Sequence, residues 1–308
     1  MSKGPFDQLL ASITAGDHKA LARAISLVEN KVEGHEYFLQ SLPPTPTPVI
    51  GITGPPGAGK STLVDALIGH WTADGKKVGI LCVDPSSPFN LGALLGDRIR
   101  MSEWYTHPQV FIRSLATRGS LGGLHPSIIE ITDIMKTAGF DHVVVETVGV
   151  GQSEVEIAGL ADTTVVVVVP EAGDEVQTMK AGLMEIADVF VVNKADRPDA
   201  DMFARNLRLM LAPAFQSKQH EIAIIKTEAN HKKGIAELSE AITRHLEKRP
   251  DHERKYWLLA EKAWQLIQSQ RMKDLSKQKL MELIRNEVQT DDQWNIYRFV
   301  QQFNAPLK

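Results

Sequence analysis

A single cysteine, Cys82, occurs in the 308 residues. No intramolecular disulfide can form, so the fold must rest on its apolar core, and a reducing compartment is expected. Cys82 lies in the apolar run VGILCVD, where an inert strand position explains it better than a reactive thiol or a metal ligand. An excess of charge of one sign is also missing: 34 Lys and Arg against 38 Asp and Glu leave −4. Chains that track nucleic acid usually carry a strong basic excess. Here the longest basic stretch is HKK at 231–233, which reads as a solvated face, and no nucleic-acid partner is expected. Long apolar runs are absent too. The strongest, TTVVVVVP at 163–170, falls far short of the roughly 20 residues a membrane helix needs, so no membrane partner is expected. The opening MSKGPFDQLL lacks the apolar core of a signal peptide. The expected setting is cytoplasmic, or the mitochondrial matrix for a eukaryotic chain.

What is present is alternation. Seven strand-like runs lie at 48–53, 77–84, 109–114, 141–146, 163–169, 187–193 and 221–227, with amphipathic stretches such as GKSTLVDALIGHWTA between them. Strands that are apolar throughout, separated by helices, predict an α/β fold with a mostly parallel sheet covered on both faces. Five valines in a row at 165–169 suit a central strand. Before the sheet, HKALARAISLVENKV places Leu21, Ala24, Ile25 and Val28 on one helical face, and LPPTPTPV at 42–49 then makes a stiff connector. After about residue 250 the strands stop. RKYWLLAEKAWQLIQSQ puts Trp257, Ala260, Trp264 and Ile267 on one face, which suits either packing on the sheet domain or self-association. Three regions are expected: 1–47, an N-terminal helical extension with its connector; 48–250, the sheet domain; and 251–308, a C-terminal helical arm.

Chemistry enters at GPPGAGKS, residues 54–61, between the first strand and a helix. It fits the G-x-x-x-x-G-K-[ST] phosphate loop at Gly54, Gly59, Lys60 and Ser61. Glycines let backbone N–H groups curl toward phosphate oxygens, and the helix start adds its positive end. Pro55, Pro56, Gly57, Ala58 and Thr62 complete the cradle. Lys60 would reach the β- and γ-phosphates, and the Ser61 hydroxyl would ligate Mg²⁺.

A second motif names the base. Asn193-Lys194-Ala195-Asp196 looks like the N-K-x-D guanine reader of P-loop GTPases. A carboxylate at Asp196 accepts from guanine N1–H and the 2-amino group, and adenine offers neither donor there. The next expected base loop is Glu228-Ala229-Asn230, where GTPases often carry Ser-Ala-Lys or Ser-Ala-Leu; Glu228 departs from that pattern. GTPases also end a strand with Asp-x-x-Gly, the acid serving the metal and the glycine N–H the γ-phosphate. Glu146 and Gly149 of ETVG have that spacing with a longer acid. Glu146 lies 86 positions after Lys60, room for two further strand–helix units. Ras-like GTPases have a much shorter interval. The long one resembles the signal-recognition and dethiobiotin-synthetase-like division, whose members often work as dimers.

Three longer stretches carry a family resemblance. VDPSSPFNLGALLGDRIRM at 83–101, ETVGVGQSE at 146–154 and KAGLMEIADVFVVNKAD at 180–196 resemble the MeaB/ArgK/MMAA GTPases, over about residues 10–250. Those proteins are chaperones of adenosylcobalamin-dependent acyl-CoA mutases such as methylmalonyl-CoA mutase. The resemblance implies a GTP-hydrolysing, Mg²⁺-dependent homodimer with a mutase as partner, and it makes Asp84 and Asp97 metal-side and switch acids beside Ser61 and Glu146. Taken alone, Asp84 also fits a strand-end turn and Asp97 a helix acid paired with Arg98 or Arg100. PEAGDEVQTMK at 170–180 corresponds to an additional switch, with Glu171, Asp174, Gln177 and Lys180 as its candidates; a solvated helix start is the alternative. No residue identifies itself as positioning the attacking water. Gln152 sits three residues past Gly149, which argues against a Ras-like role, and Arg118 reads better as a surface loop arginine than as a charge stabiliser in cis. Two competing functions are a nickel-insertion GTPase, which usually carries a Cys/His cluster this chain lacks, and a P-loop kinase, against which N-K-x-D argues.

Overall fold

The computed structural model describes residues 6, 8–84, 101–117, 124–147, 153–170, 181–217, 222–248, 253–290 and 294–301. Among the described residues, seven strands form one sheet: β1 (Val49–Thr53), β2 (Val78–Asp84), β3 (Val110–Ala116), β4 (His142–Glu146), β5 (Thr163–Val168), β6 (Val189–Val192) and β7 (Ala223–Lys226). All seven expected strands are present. Their order is β3-β2-β4-β1-β5-β6-β7, and every neighbouring pair is parallel. Each residue of β1, β2, β5 and β6 is buried, which is why these strands read as apolar runs and not as alternations.

Helices cover both faces. On one lie α4 (Lys60–Ala73) and α9 (Ile235–Lys248), whose Leu63, Leu67, Leu238 and Ile242 pack on Ile50, Ile52, Ile80, Val144 and Val165. The other face receives α1 (Leu9–Thr14), α2 (His18–Glu29), α3 (His35–Gln40), α5 (Ile128–Lys136) and α6 (Ser153–Leu160), with α7 (Ala181–Ile186) and α8 (Ala200–Ser217) further along. The Asp17 side chain caps α2 by accepting from the backbone N–H of Lys19 and Ala20. Its apolar stripe, Leu21, Ala24, Ile25 and Val28, shares one core with Leu81, Val83 and Phe111 of the sheet. A partly buried ion pair reinforces that seam: Arg113 on β3 donates to Glu29 at 2.9 Å, with His125 Nε2 at 3.6 Å from the same carboxylate.

The chain divides into two compact units, Met1–Tyr256 and Trp257–Lys308. The junction lies within α10 (Glu253–Arg271), whose first turn belongs to the first unit; there Arg254 donates to the carbonyls of Glu185 and Ile186 at the end of α7. In α10 and in α11 (Lys277–Thr290) no residue is buried, and Trp257 and Trp264 are 58% and 60% exposed. The short α12 (Ile296–Gln301) buries Phe299 near the Trp294 ring.

The site follows from the strand order. β1 lies between β4 and β5, with the chain running to β2 on one side and to β5 on the other. In such sheets the crevice opens beyond the carboxyl ends of the strands flanking that reversal.

Candidate nucleotide-binding site

The loop after β1 is built for close approach. Gly54 has φ +144°, and a Cβ there would stand 2.1 Å from the Val167 carbonyl oxygen. Gly59 has φ +85° and faces Asn193, where a Cβ would come within 2.5 Å of Nδ2. Side chains are excluded at both points by backbone conformation and by space. Lys60 opens α4 and is buried; its ammonium donates to the carbonyls of Gly54 at 2.9 Å and Pro55 at 3.1 Å. The loop therefore wraps the lysine head at the positive end of a fourteen-residue helix.

The acids arrive on the adjacent strands. Glu146 ends β4, and its Oε1 accepts from the Ser61 hydroxyl at 2.6 Å. Glu146 is paired in register with Cys82, and Asp84 lies two residues beyond Cys82. With a side-chain period of two, both carboxylates leave the sheet on the face that α4 covers. Ser61, Asp84 and Glu146 are all buried. Immediately past the acid, the Thr147 hydroxyl donates to that of Thr53 at 2.9 Å, pinning the strand exit to the end of β1. The donor set is one hydroxyl and two carboxylates, hard oxygens that suit Mg²⁺ and not a soft metal. Among the described residues no group of three or more His, Cys, Asp and Glu is placed to hold a metal ion. Asp97 and Gly149 lie outside the described residues, as do Arg118, Gln152, Glu171, Asp174, Gln177 and Lys180.

At the other end Asn193, just past β6, ties three loops together. Its Nδ2 donates to the Ala58 carbonyl at 2.9 Å, while Oδ1 accepts from the Thr227 hydroxyl at 3.0 Å and the Ala229 N–H at 3.2 Å. The Ala229 N–H, a candidate donor to guanine O6, is thus engaged by Asn193. Lys194 turns the chain outward with φ +56°, and the Ala195 N–H returns to the Thr227 carbonyl at 3.0 Å. Gly59, Thr62, Asn193, Lys194, Asp196 and the loop from Glu228 to His231 line one pocket of about 80 Å³. Residues from three separate sequence motifs meet there.

Residues 21–289 match the family described as methylmalonyl Co-A mutase-associated GTPase MeaB. The chain belongs to the MeaB family. A Pyrococcus horikoshii protein named provisionally as a GTPase is 50% identical over 247 residues, covering 78% of each chain. GTPase ArgK of Escherichia coli is 36% identical over 237 residues, 74% of this chain and 72% of ArgK. A crystal structure described as a LAO/AO transport system kinase superposes with a TM-score of 0.67 over 99% of this chain and 98% of its own; at 23% identity it shows the fold alone. The present MeaB-family chain is accordingly a P-loop GTPase that binds GTP and GDP and hydrolyses GTP.

Two residues of this part of the MeaB-family chain escaped the motif reading: His231 lines the pocket, and Lys233 pairs with Glu228, which also lines it. An acid followed by bases three and five positions later was the available signal, but only a turn makes those positions neighbours.

Proposed function

We propose that this GTPase is a chaperone that gates cofactor loading and protects an adenosylcobalamin-dependent acyl-CoA mutase of the methylmalonyl-CoA mutase type, acting as a homodimer in the cytoplasm. The family description supports the mutase as client. The observation that carries the nucleotide chemistry is the 2.6 Å bond between Ser61 and Glu146, which joins the phosphate loop directly to the last residue of β4. Exposed tryptophans at 257 and 264 support association of two chains through the arm.

In this reading Lys60 turns its ammonium from the loop carbonyls toward the β- and γ-phosphates, where it offsets charge on the leaving oxygen. Ser61, Asp84 and Glu146 would hold Mg²⁺, directly or through water. When bound, the ion screens the phosphate charges and fixes their orientation. Asp196 accepts from the guanine N1–H and 2-amino groups, and the Lys194 stem covers the base plane. Burying a carboxylate against adenine would leave it without donors, so the pocket selects GTP. Because Glu146 stands at the strand exit next to Thr147, a change in its ligands is felt first by the segment that follows.

Phosphate release from GTP, with and without an adenosylcobalamin-dependent mutase from the same source, tests the proposal. Stimulation by the mutase is expected. Unchanged turnover in the presence of a mutase that binds its cofactor normally would remove the client and leave the GTPase. Phosphate delivered to an acceptor other than water, with ATP preferred, would replace the chaperone with a kinase.

A further inference from the structure

Glu228 sits at the rim of the base pocket, yet its described contacts run to its own loop. Oε2 accepts from Lys233 Nζ at 2.9 Å and stands 3.1 Å from His231 Nδ1. Backbone bonds run in both directions between the same two positions, Glu228 N–H to Lys233 O at 3.1 Å and Lys233 N–H to Glu228 O at 3.3 Å. The result is an isolated antiparallel bridge. Inside it, Ala229–His231 form a single 3₁₀ turn, with Ala229 buried and its N–H on Asn193. Lys232 takes φ +55°, an unfavourable conformation for a lysine that the double closure holds in place. The loop is therefore fastened twice, once by backbone and once by side chain, with the four residues from Glu228 to His231 lining the pocket.

We infer that Glu228 is a positioning residue for base recognition: it staples Lys233 and His231 so that 229–231 stand ready against the nucleotide. This deepens the proposed guanine reading and rests on it. Serine at this position could not reach both bases. The carboxylate spans the loop to reach both the Lys233 ammonium and the His231 ring, closing it at the side-chain level. Lys233 foremost, and His231 after it, hold the Glu228 carboxyl below its ordinary range, so the staple persists throughout the neutral range.

The test is a double-mutant cycle on the full chain, read as the affinity for N-methylanthraniloyl-GDP. Glu228→Ala and Lys233→Ala are each expected to raise Kd about fivefold, a loop held by an exposed ion pair being worth roughly that factor. The double variant should be no weaker than either single one, because both remove the same staple. Glu228→Gln, which keeps the shape, should fall between wild type and Glu228→Ala. In turnover the loss should appear in KM for GTP and not in kcat. Affinities within twofold of wild type would overturn the inference, and so would single effects that multiply in the double variant. Asp196→Asn is measured in parallel. If it fails to shift preference from guanosine to xanthosine nucleotides, the guanine reading itself fails. If it shifts while the Glu228 variants bind normally, only the staple is wrong.

Discussion

The two ends of the nucleotide site are built from different materials. At the phosphate end the working groups sit on strand termini and the first turn of a helix: Lys60, Ser61, Asp84 and Glu146 are all buried. At the base end Lys194 and Asp196 stand on loops, and Asp196 is exposed. The difference follows from the tasks. Stabilising charge on a transferring phosphoryl group requires fixed dipoles and excluded water, which a packed sheet supplies. Reading a base requires a surface that admits and releases it. What keeps the loops from wandering is a small set of bonds, of which those from Asn193 to Ala58, Thr227 and Ala229 are the most buried.

The largest expected effects fall on the phosphate end. Lys60→Ala should lower kcat for GTP about 10³-fold, and Glu146→Gln about 10²-fold, since each removes charge from the reacting end while leaving the base pocket intact. Single-turnover hydrolysis at saturating GTP measures both. Losses that appeared only in affinity would erase the contrast between the ends.

Asn193→Ala sharpens the comparison because it touches both ends. It leaves the Ala58 carbonyl and the Thr227 hydroxyl without their shared partner, at a cost of about 1–3 kcal/mol each where burial is complete. A drop in Tm and an increase of about tenfold in Kd for GDP are expected together, by calorimetry and titration. Weaker binding at full stability would mean that the two loops are held by something else.

The smallest effect lies away from the nucleotide. Burial lowers the pKa of His142 below 6.5, and its ring packs 4.7 Å from that of Trp71. The unfolded chain takes up the proton first as pH falls, so the stabilisation is complete above 6.5 and declines below it. His142→Phe should flatten the loss of stability between about pH 7.5 and 5.5 by no more than about 1 kcal/mol. Burial lowers His18 in the same direction, so some slope should remain.

The phosphate end was the more legible in sequence. Its loop is a contiguous motif, and its strands announce themselves because both faces are buried. Asp84 was set beside Glu146 by the family resemblance alone, because the β2–β4 register that brings their strands together is encoded by no local pattern. The helical stripe from Leu21 to Val28 was readable, but not that Phe111 and Leu81 lie beneath it. At the base end the N-K-x-D signature gave the residues and not their wiring. That Asn193 would bind three loops, and Glu228 its own, depends on turns whose closure involves positions five or more apart. The tryptophans of the C-terminal arm read equally as core or surface, because amphipathic spacing alone does not say what covers a face.

The measurement that tests the division most directly is steady-state phosphate release from GTP, ATP and XTP by the wild type and by Asp196→Asn. Xanthine carries a carbonyl where guanine has its 2-amino group, so the amide of the variant can donate where the carboxylate accepted. The account predicts that the wild type turns over GTP and neither of the others, and that the variant turns over XTP at the wild-type kcat while losing GTP. A variant that is slow with every nucleotide at saturation, or a wild type that uses ATP as readily as GTP, would contradict the separation of chemistry from selection.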